Sequence, residues 1–151
     1  MQSVRIIEIP NCKVVSSGIG MFGDENFEKF DVFISALPST MYAKDFLFQD
    51  GDGLHWVYMY EDWMNVPDEL DVIDFIGGIY AITTDIDQKT DIDAMDKELH
   101  AFLQDNGFEQ DTSRPRMGNV ITPPQAQEVL GYEQMDYFMP IRAKRKDRIL
   151  P

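Results

Sequence analysis

The segment His55-Trp56-Val57-Tyr58-Met59-Tyr60 concentrates the side chains best suited to recognition. Strand alternation places Trp56, Tyr58 and Tyr60 on one face and His55, Val57 and Met59 on the other. Rings with an apolar face and a hydrogen-bonding tip can stack on a flat or cationic ligand. They serve equally well as the amphipathic edge of a core strand. The second candidate is Asp136, in Met135-Asp136-Tyr137-Phe138-Met139-Pro140-Ile141. A carboxylate in so apolar a strand must be solvated, paired or functional, because burying it alone is very costly. Alternation sets Asp136 and Phe138 on one face, with Tyr137 and Met139 on the other. In a pocket, Asp136 could neutralise a cation or act as a general base; at a strand end facing water it does neither.

Other chemistries fail on spacing. Asp85 to Asp96 imitates a calcium loop, but Lys89 fills the fifth position, Thr90 stands where the turn glycine is required, and Asp96 replaces the bidentate Glu. Acids around a helix start, favoured by the macrodipole, account for the pattern. His55 and His100 have no partner at metal-ligand spacing, so no metal site is expected. Cys12 is the single cysteine, which excludes an internal disulfide and reads as a small buried or half-buried thiol. Ser16, Ser17, Ser35 and Ser39 lie in no nucleophile-elbow context. Ile76-Gly77-Gly78-Ile79 is followed by no helix and so is no phosphate loop; it reads as a bend between two parts of one long strand. No cofactor is expected.

The chain has 151 residues, with 13 Lys plus Arg against 27 Asp plus Glu, a formal charge of −14. Arg142 to Arg148 hold five of the basic residues, leaving residues 1–141 at −18. So acidic a surface repels phosphate backbones and anionic lipid, which argues against direct nucleic-acid or membrane contact. No apolar run reaches the ~20 residues of a membrane span, and the N-terminus does not read as a signal peptide. With 44% hydrophobic residues there is material for a core, and disorder is excluded on composition. The expectation is one cytoplasmic domain over 1–151, monomeric or homodimeric, with a basic tail over 142–151.

A weak repeat organises the chain. Ile6-Ile7-Glu8-Ile9-Pro10-Asn11-Cys12-Lys13-Val14-Val15 matches Val72-Ile73-Asp74-Phe75-Ile76-Gly77-Gly78-Ile79-Tyr80-Ala81, and each copy precedes a helical pattern. The first starts near Asp24, carries Phe27, Phe30, Phe33, Ile34 and Leu37 on one stripe, and ends before Pro38. The second starts near Thr90 or Asp91, carries Ile92, Met95, Leu99, Phe102 and Leu103, and stops at Asn106-Gly107. Strands are expected at 45–49 and 54–61 around the turn 50–53, near 117–122, and at 136–144, with a short helix over 123–131. The order strand–helix–strand–strand, twice, predicts an α+β fold. Its halves, about 1–65 and 66–144, are related by a pseudo-twofold axis. The sheet is antiparallel, with both helices on one face and the other face open to a ligand.

Val72–Ala81, the segment Tyr42–Phe48 with Trp56-Val57-Tyr58, and the closing strand Asp136–Ile141 resemble the GyrI-like small-molecule-binding family, the effector-binding domain of AraC-type and multidrug-sensing regulators. Ile121-Thr122-Pro123-Pro124 with Gly131-Tyr132 is similar to the connection in a stand-alone bacterial subgroup. The resemblance implies a ligand cleft between the halves, lined by aromatics on the strands of Trp56, Tyr58 and Tyr80, with a central acid on the closing strand. That acid is usually Glu; here Asp136 holds the position. Because the repeat begins at residue 4, the reading is a domain with no preceding helix-turn-helix.

Three functions follow in order. The first is a binding module for a hydrophobic or cationic small molecule in sensing, sequestration or transcription-related regulation. Its ligand would be held by Trp56, Tyr58, Tyr60, Tyr80, Asp136 and Phe138. The second is an acidic, gyrase-inhibitor-like interaction protein with a protein partner. The third is a hydrolase of a reactive electrophile that uses Asp136 and a cleft tyrosine.

Overall fold

In a computed structural model, residues 3–144 are described; the tail expected over 142–151 lies outside them from residue 145 onward. The chain runs β1 (Arg5–Ile9), β2 (Cys12–Gly20), α1 (Glu25–Ser35), β3 (Asp45–Asp50), β4 (Gly53–Met59), β5 (Asp71–Phe75), β6 (Gly78–Ile86), α2 (Ile92–Asn106), β7 (Phe108–Gln110), β8 (Met117–Val120), α3 (Pro124–Leu130) and β9 (Gln134–Ala143). The described strands form one antiparallel sheet in the order β1-β6-β9-β8-β3-β4-β2-β5, with β7 on β9. The α+β class, the duplicated order and the three helices are as the sequence predicts. Strand β7 was not expected. It is three residues long, too short to show a period, and exists through its pairing with the end of β9.

Local chemistry accounts for the helix ends. Asp91 caps α2, its carboxylate accepting from the Ala94 amide at 3.1 Å, and Gly107 closes the helix in the left-handed region at φ 80°. Asp24 holds the cap position of α1 but accepts instead from the Met21 amide at 2.9 Å, fixing the entry turn.

The two long strands of the repeat define the architecture. β1 and β2 are one strand bent at residues 10–11; β5 and β6 are one strand bent at 76–77. They run antiparallel, β1 against β6 and β2 against β5, in a register that continues without a slip across both bends. The two ends of the sheet order are therefore joined through the bends, and the sheet closes round on itself. The halves meet a second time where β3 pairs with β8 through Leu47 opposite Gly118 and Phe48 opposite Met117.

Closure separates two faces. Ile9, Val14, Phe46, Val57, Tyr80, Ile82, Met117 and Phe138 point inward and fill the interior. On the outside, Phe30 and Phe33 of α1 pack over Val15 and Tyr58. Met95, Leu99 and Leu103 of α2 pack over Ala81, Met139 and Ile141. The face away from the helices, expected to be open, is thus largely occupied by this core, and the space between the halves lies on the helix side.

Gly77 permits the first crossing. A Cβ there would run into the carbonyl oxygen of Ile9 and lie 2.6 Å from the carbonyl carbon and oxygen of Pro10. Its amide donates to Asn11 Oδ1 at 2.9 Å. Because the obstruction is backbone, it cannot swing aside. Gly77→Ala is expected to cost about 1–3 kcal/mol, measured as a lowered denaturation midpoint with an unchanged slope.

Candidate functional site

The hairpin β3–β4 sets the site. Its register places Leu47 opposite Trp56 and Asp45 opposite Tyr58, all on the outer face, so Asp45, Leu47 and Trp56 converge beside α1. The Trp56 indole N–H donates to Asp45 Oδ2 at 3.0 Å. The same ring meets Phe30 at 5.0 Å and the exposed Phe22 at 5.6 Å between centroids. Asn119 of β8 donates to the carbonyl oxygens of Asp45 at 2.8 Å and Ala43 at 3.2 Å. It ties the start of β3 to the second half where the backbone ladder is only two pairs long.

These residues border a cavity of about 670 Å³. Its floor includes Leu47, Trp56, Gly118, Val120 and Met135; Phe22 and Asp31 come from the α1 side, Asp87 and Gln88 from the loop after β6, and Pro124 and Gln127 from α3. Among the described residues, four carboxylates line it (Asp31, Asp45, Asp87 and Glu133) and no Lys or Arg does. Among the described residues, no three His, Cys, Asp or Glu side chains are grouped to hold a metal ion, so the carboxylates act as a spread negative field. Burial pushes the Asp45 carboxyl above the usual carboxylate range, and the charge of Asp31 adds to the rise; the Trp56 hydrogen bond opposes it. The cavity therefore holds a carboxylate whose ionisation a cation would favour.

A second cavity of about 260 Å³ lies under α2 and shares Leu47, Gly118 and Met135 with the first. Its other walls are mainly apolar, including Met95, Leu99, Tyr137 and Met139. Arg116 stands at its border, paired with Asp96 at 2.7 Å. The two cavities lie side by side over the β3–β8 junction, where Leu47, Gly118 and Met135 border both, and are together called the groove.

The six residues singled out in the sequence are not brought together. Trp56 lines the groove. Tyr58 is buried against α1, with Tyr60 partly buried in the same cluster. Tyr80 is fully buried in the interior, with the Arg114 guanidinium 4.7 Å from its ring centre. Phe138 packs edge-on against Phe46 at 5.2 Å and also borders the cavity under α2. Asp136 also faces inward: Arg5 donates to it at 2.9 Å and the Thr84 hydroxyl donates to its other oxygen. The alternation read from the sequence is correct on both strands. On β9, however, the face toward the groove is that of Met135 and Tyr137. Asp45 and Tyr137 border the groove and are not among the six expected residues; the hairpin turn at 50–53 carries the signal for Asp45, since it fixes Leu47 opposite Trp56.

Ser16, His55 and Asp50 also meet: Ser16 Oγ contacts His55 Nε2, and His55 Nδ1 lies 3.1 Å from Asp50 Oδ2. Ser16 is buried and neither groove cavity is lined by any of the three. The chain satisfies polar groups within the sheet.

No family model matches the sequence, and none of the curated proteins matches it. The fold does match solved structures. The C-terminal domain of EcmrR superposes with a TM-score of 0.62 at 13% identity, covering 95% of this chain and 99% of that one. EcmrR in its complex with DNA gives 0.64 at 13% identity over 95% of this chain, which spans 58% of that longer chain. A hydrolase from Listeria innocua gives 0.62 at 13% identity, covering 92% and 91%. SAV2435 bound to tetraphenylphosphonium gives 0.52 at 12% identity, covering 93% and 94%. The chain shares the fold of these proteins.

Because burial raises the Asp45 pKa, its ionised form is penalised in the folded protein at neutral pH. The penalty vanishes once pH falls below the unfolded value of about 3.9, where both states are protonated. Asp45→Asn keeps an acceptor for Trp56 and should raise Tm at pH 7, a gain that shrinks steadily as pH is lowered through the folded pKa.

Proposed function

We propose that this chain is a GyrI-like binding domain for hydrophobic cations of small-molecule size. The ligand lies in the outer groove, against Trp56 and beside Asp45. The observation that carries the reading is the cavity of about 670 Å³ with four carboxylates, an accessible indole and, among the described residues, no basic side chain on its walls. That volume falls in the usual range for small-molecule sites. A cation there gains a charge-assisted contact worth about 1.5–3 kcal/mol and a cation–π contact worth about 0.5–2 kcal/mol, which with apolar contact reaches micromolar affinity. Tetraphenylphosphonium in a neighbour of the same fold supports this ligand class, and the EcmrR–DNA complex supports a role in sensing linked to transcription. Such a domain works in the cytoplasm and passes its signal to a protein partner.

The hydrolytic alternative rests on Asp136, and that carboxylate is engaged by Arg5 and Thr84 on the interior face. No cleft tyrosine stands beside it there to share a water. The Listeria hydrolase of the same fold keeps turnover worth assaying, with Asp45 as the acid within reach of a groove ligand.

The test compares tetraphenylphosphonium with neutral triphenylphosphine oxide by calorimetry. Asp45→Asn should weaken the cation about 10–100-fold and leave the neutral compound nearly unchanged; an equal loss for both overturns the proposal. Asp136→Asn should instead lower Tm with little effect on the cation. Affinity for the cation should fall as pH drops through the raised Asp45 pKa, and Asp45→Asn should flatten that dependence.

A further inference from the structure

The groove is built from equivalent positions of the two halves, and those positions have diverged. Matching the registers of β2–β4 and β6–β9 pairs Trp56 with Tyr137 as counterparts. The registers of β3–β4 and β8–β9 then make Leu47 the counterpart of Gly118 and Asp45 the counterpart of Arg116. One end of the groove therefore carries a carboxylate hydrogen-bonded to an indole, Asp45 with Trp56. The other carries an arginine already neutralised by Asp96 at 2.7 Å, next to an apolar chamber of about 260 Å³ under α2. Between them lies Gly118, whose missing side chain leaves the floor low. The flexible Met135 is the side chain over it: a Cβ on Gly118 would run into the Met135 methyl.

We infer that the groove takes an elongated amphiphile, its cationic head at Asp45 and Trp56 and its alkyl tail passing over Gly118 into the chamber under α2, with Met135 as the movable partition. The inference rests on the cation-binding reading of the outer groove and adds the tail site. A compact cation satisfies the acidic end alone. Only a ligand with an apolar extension fills the chamber, where Met95, Met135 and Met139 offer unbranched, adaptable side chains that suit a flexible chain. The tail meets no unpaired charge on the way, because Arg116 is held by Asp96.

The test uses alkyltrimethylammonium salts from tetramethyl to dodecyl, each below its micelle concentration, against the full chain. Affinity should rise by up to about fourfold per buried methylene and then level off once the chamber is full. Methyl-labelled methionine NMR should show Met95, Met135 and Met139 shifting with dodecyltrimethylammonium and not with tetramethylammonium. Met135→Phe, a stiff ring over Gly118, should lower the dodecyl-to-tetramethyl affinity ratio, and Met135→Ala should raise it. If affinity is independent of chain length, or the chamber methionines do not respond to the long chain, the tail site is overturned while a retained Asp45 dependence still supports the head site. If Asp45→Asn leaves every member of the series unchanged, the head site fails, and a length dependence with chamber shifts would then mark a purely apolar site and overturn the amphiphile.

Discussion

The structure turns on one steric fact: two equivalent points of a repeated chain meet across a pseudo-twofold axis, and space exists there for one side chain only. Position 11 of the first copy is Asn and its counterpart in the second is Gly77. The amide of Gly77 donates to the Asn11 side chain while its Cα sits against the Ile9 and Pro10 backbone. That contact lets both long strands bend without losing register, and the bends bring the ends of the sheet together. Interior packing and the placing of both helices outside follow from closure, because the inward face has no room for anything but side chains.

The second crossing has the same form. Leu47 lies opposite its counterpart Gly118, so the halves again meet with a large residue on one side and none on the other. Here the shortage of side chain is on the outer surface and leaves a trough. A symmetric pair of leucines would fill it. The duplicated fold thus supplies a groove at its axis, and divergence of the flanking positions supplies the chemistry: Asp45 and Trp56 at one end, Arg116 and Tyr137 at the other.

The strong net negative charge takes on local meaning in that setting. Much of it is spread over solvated surface, where single carboxylates matter little. Around the larger cavity the described residues give it one sign over a partly desolvated floor, which raises the local concentration of cations, and burial there pushes the Asp45 carboxyl above the usual carboxylate range. Arg116, the one basic residue among the described residues that border the chamber under α2, is paired with Asp96, so the two ends differ in charge as well as in shape.

Much of this was legible in the chain. Asp91, Gly107, Pro124 and Gly131 marked helix ends, the repeat announced two halves, and alternation correctly sorted the residues of β4 and β9 into faces. All are decided within a few residues of themselves. Which face of each strand would meet the groove depends on how the sheet closes, and a strand offers both faces with a change of one residue. Asp136 lies on the inward face of β9 where Tyr137 faces outward, Tyr80 is buried in the interior, and Phe138 packs there while bordering the cavity under α2. Asp45 is a groove acid only because β3 pairs with β8, through a ladder of two pairs and the Asn119 side chain. The amino-acid sequence by itself determined the elements, the duplication and the strong net negative charge. Only the tertiary structure decided that the Asp45 carboxylate and its indole border a groove shared with the second half, because that is set by contacts between residues seventy positions and more apart, for which local periodicity carries no information.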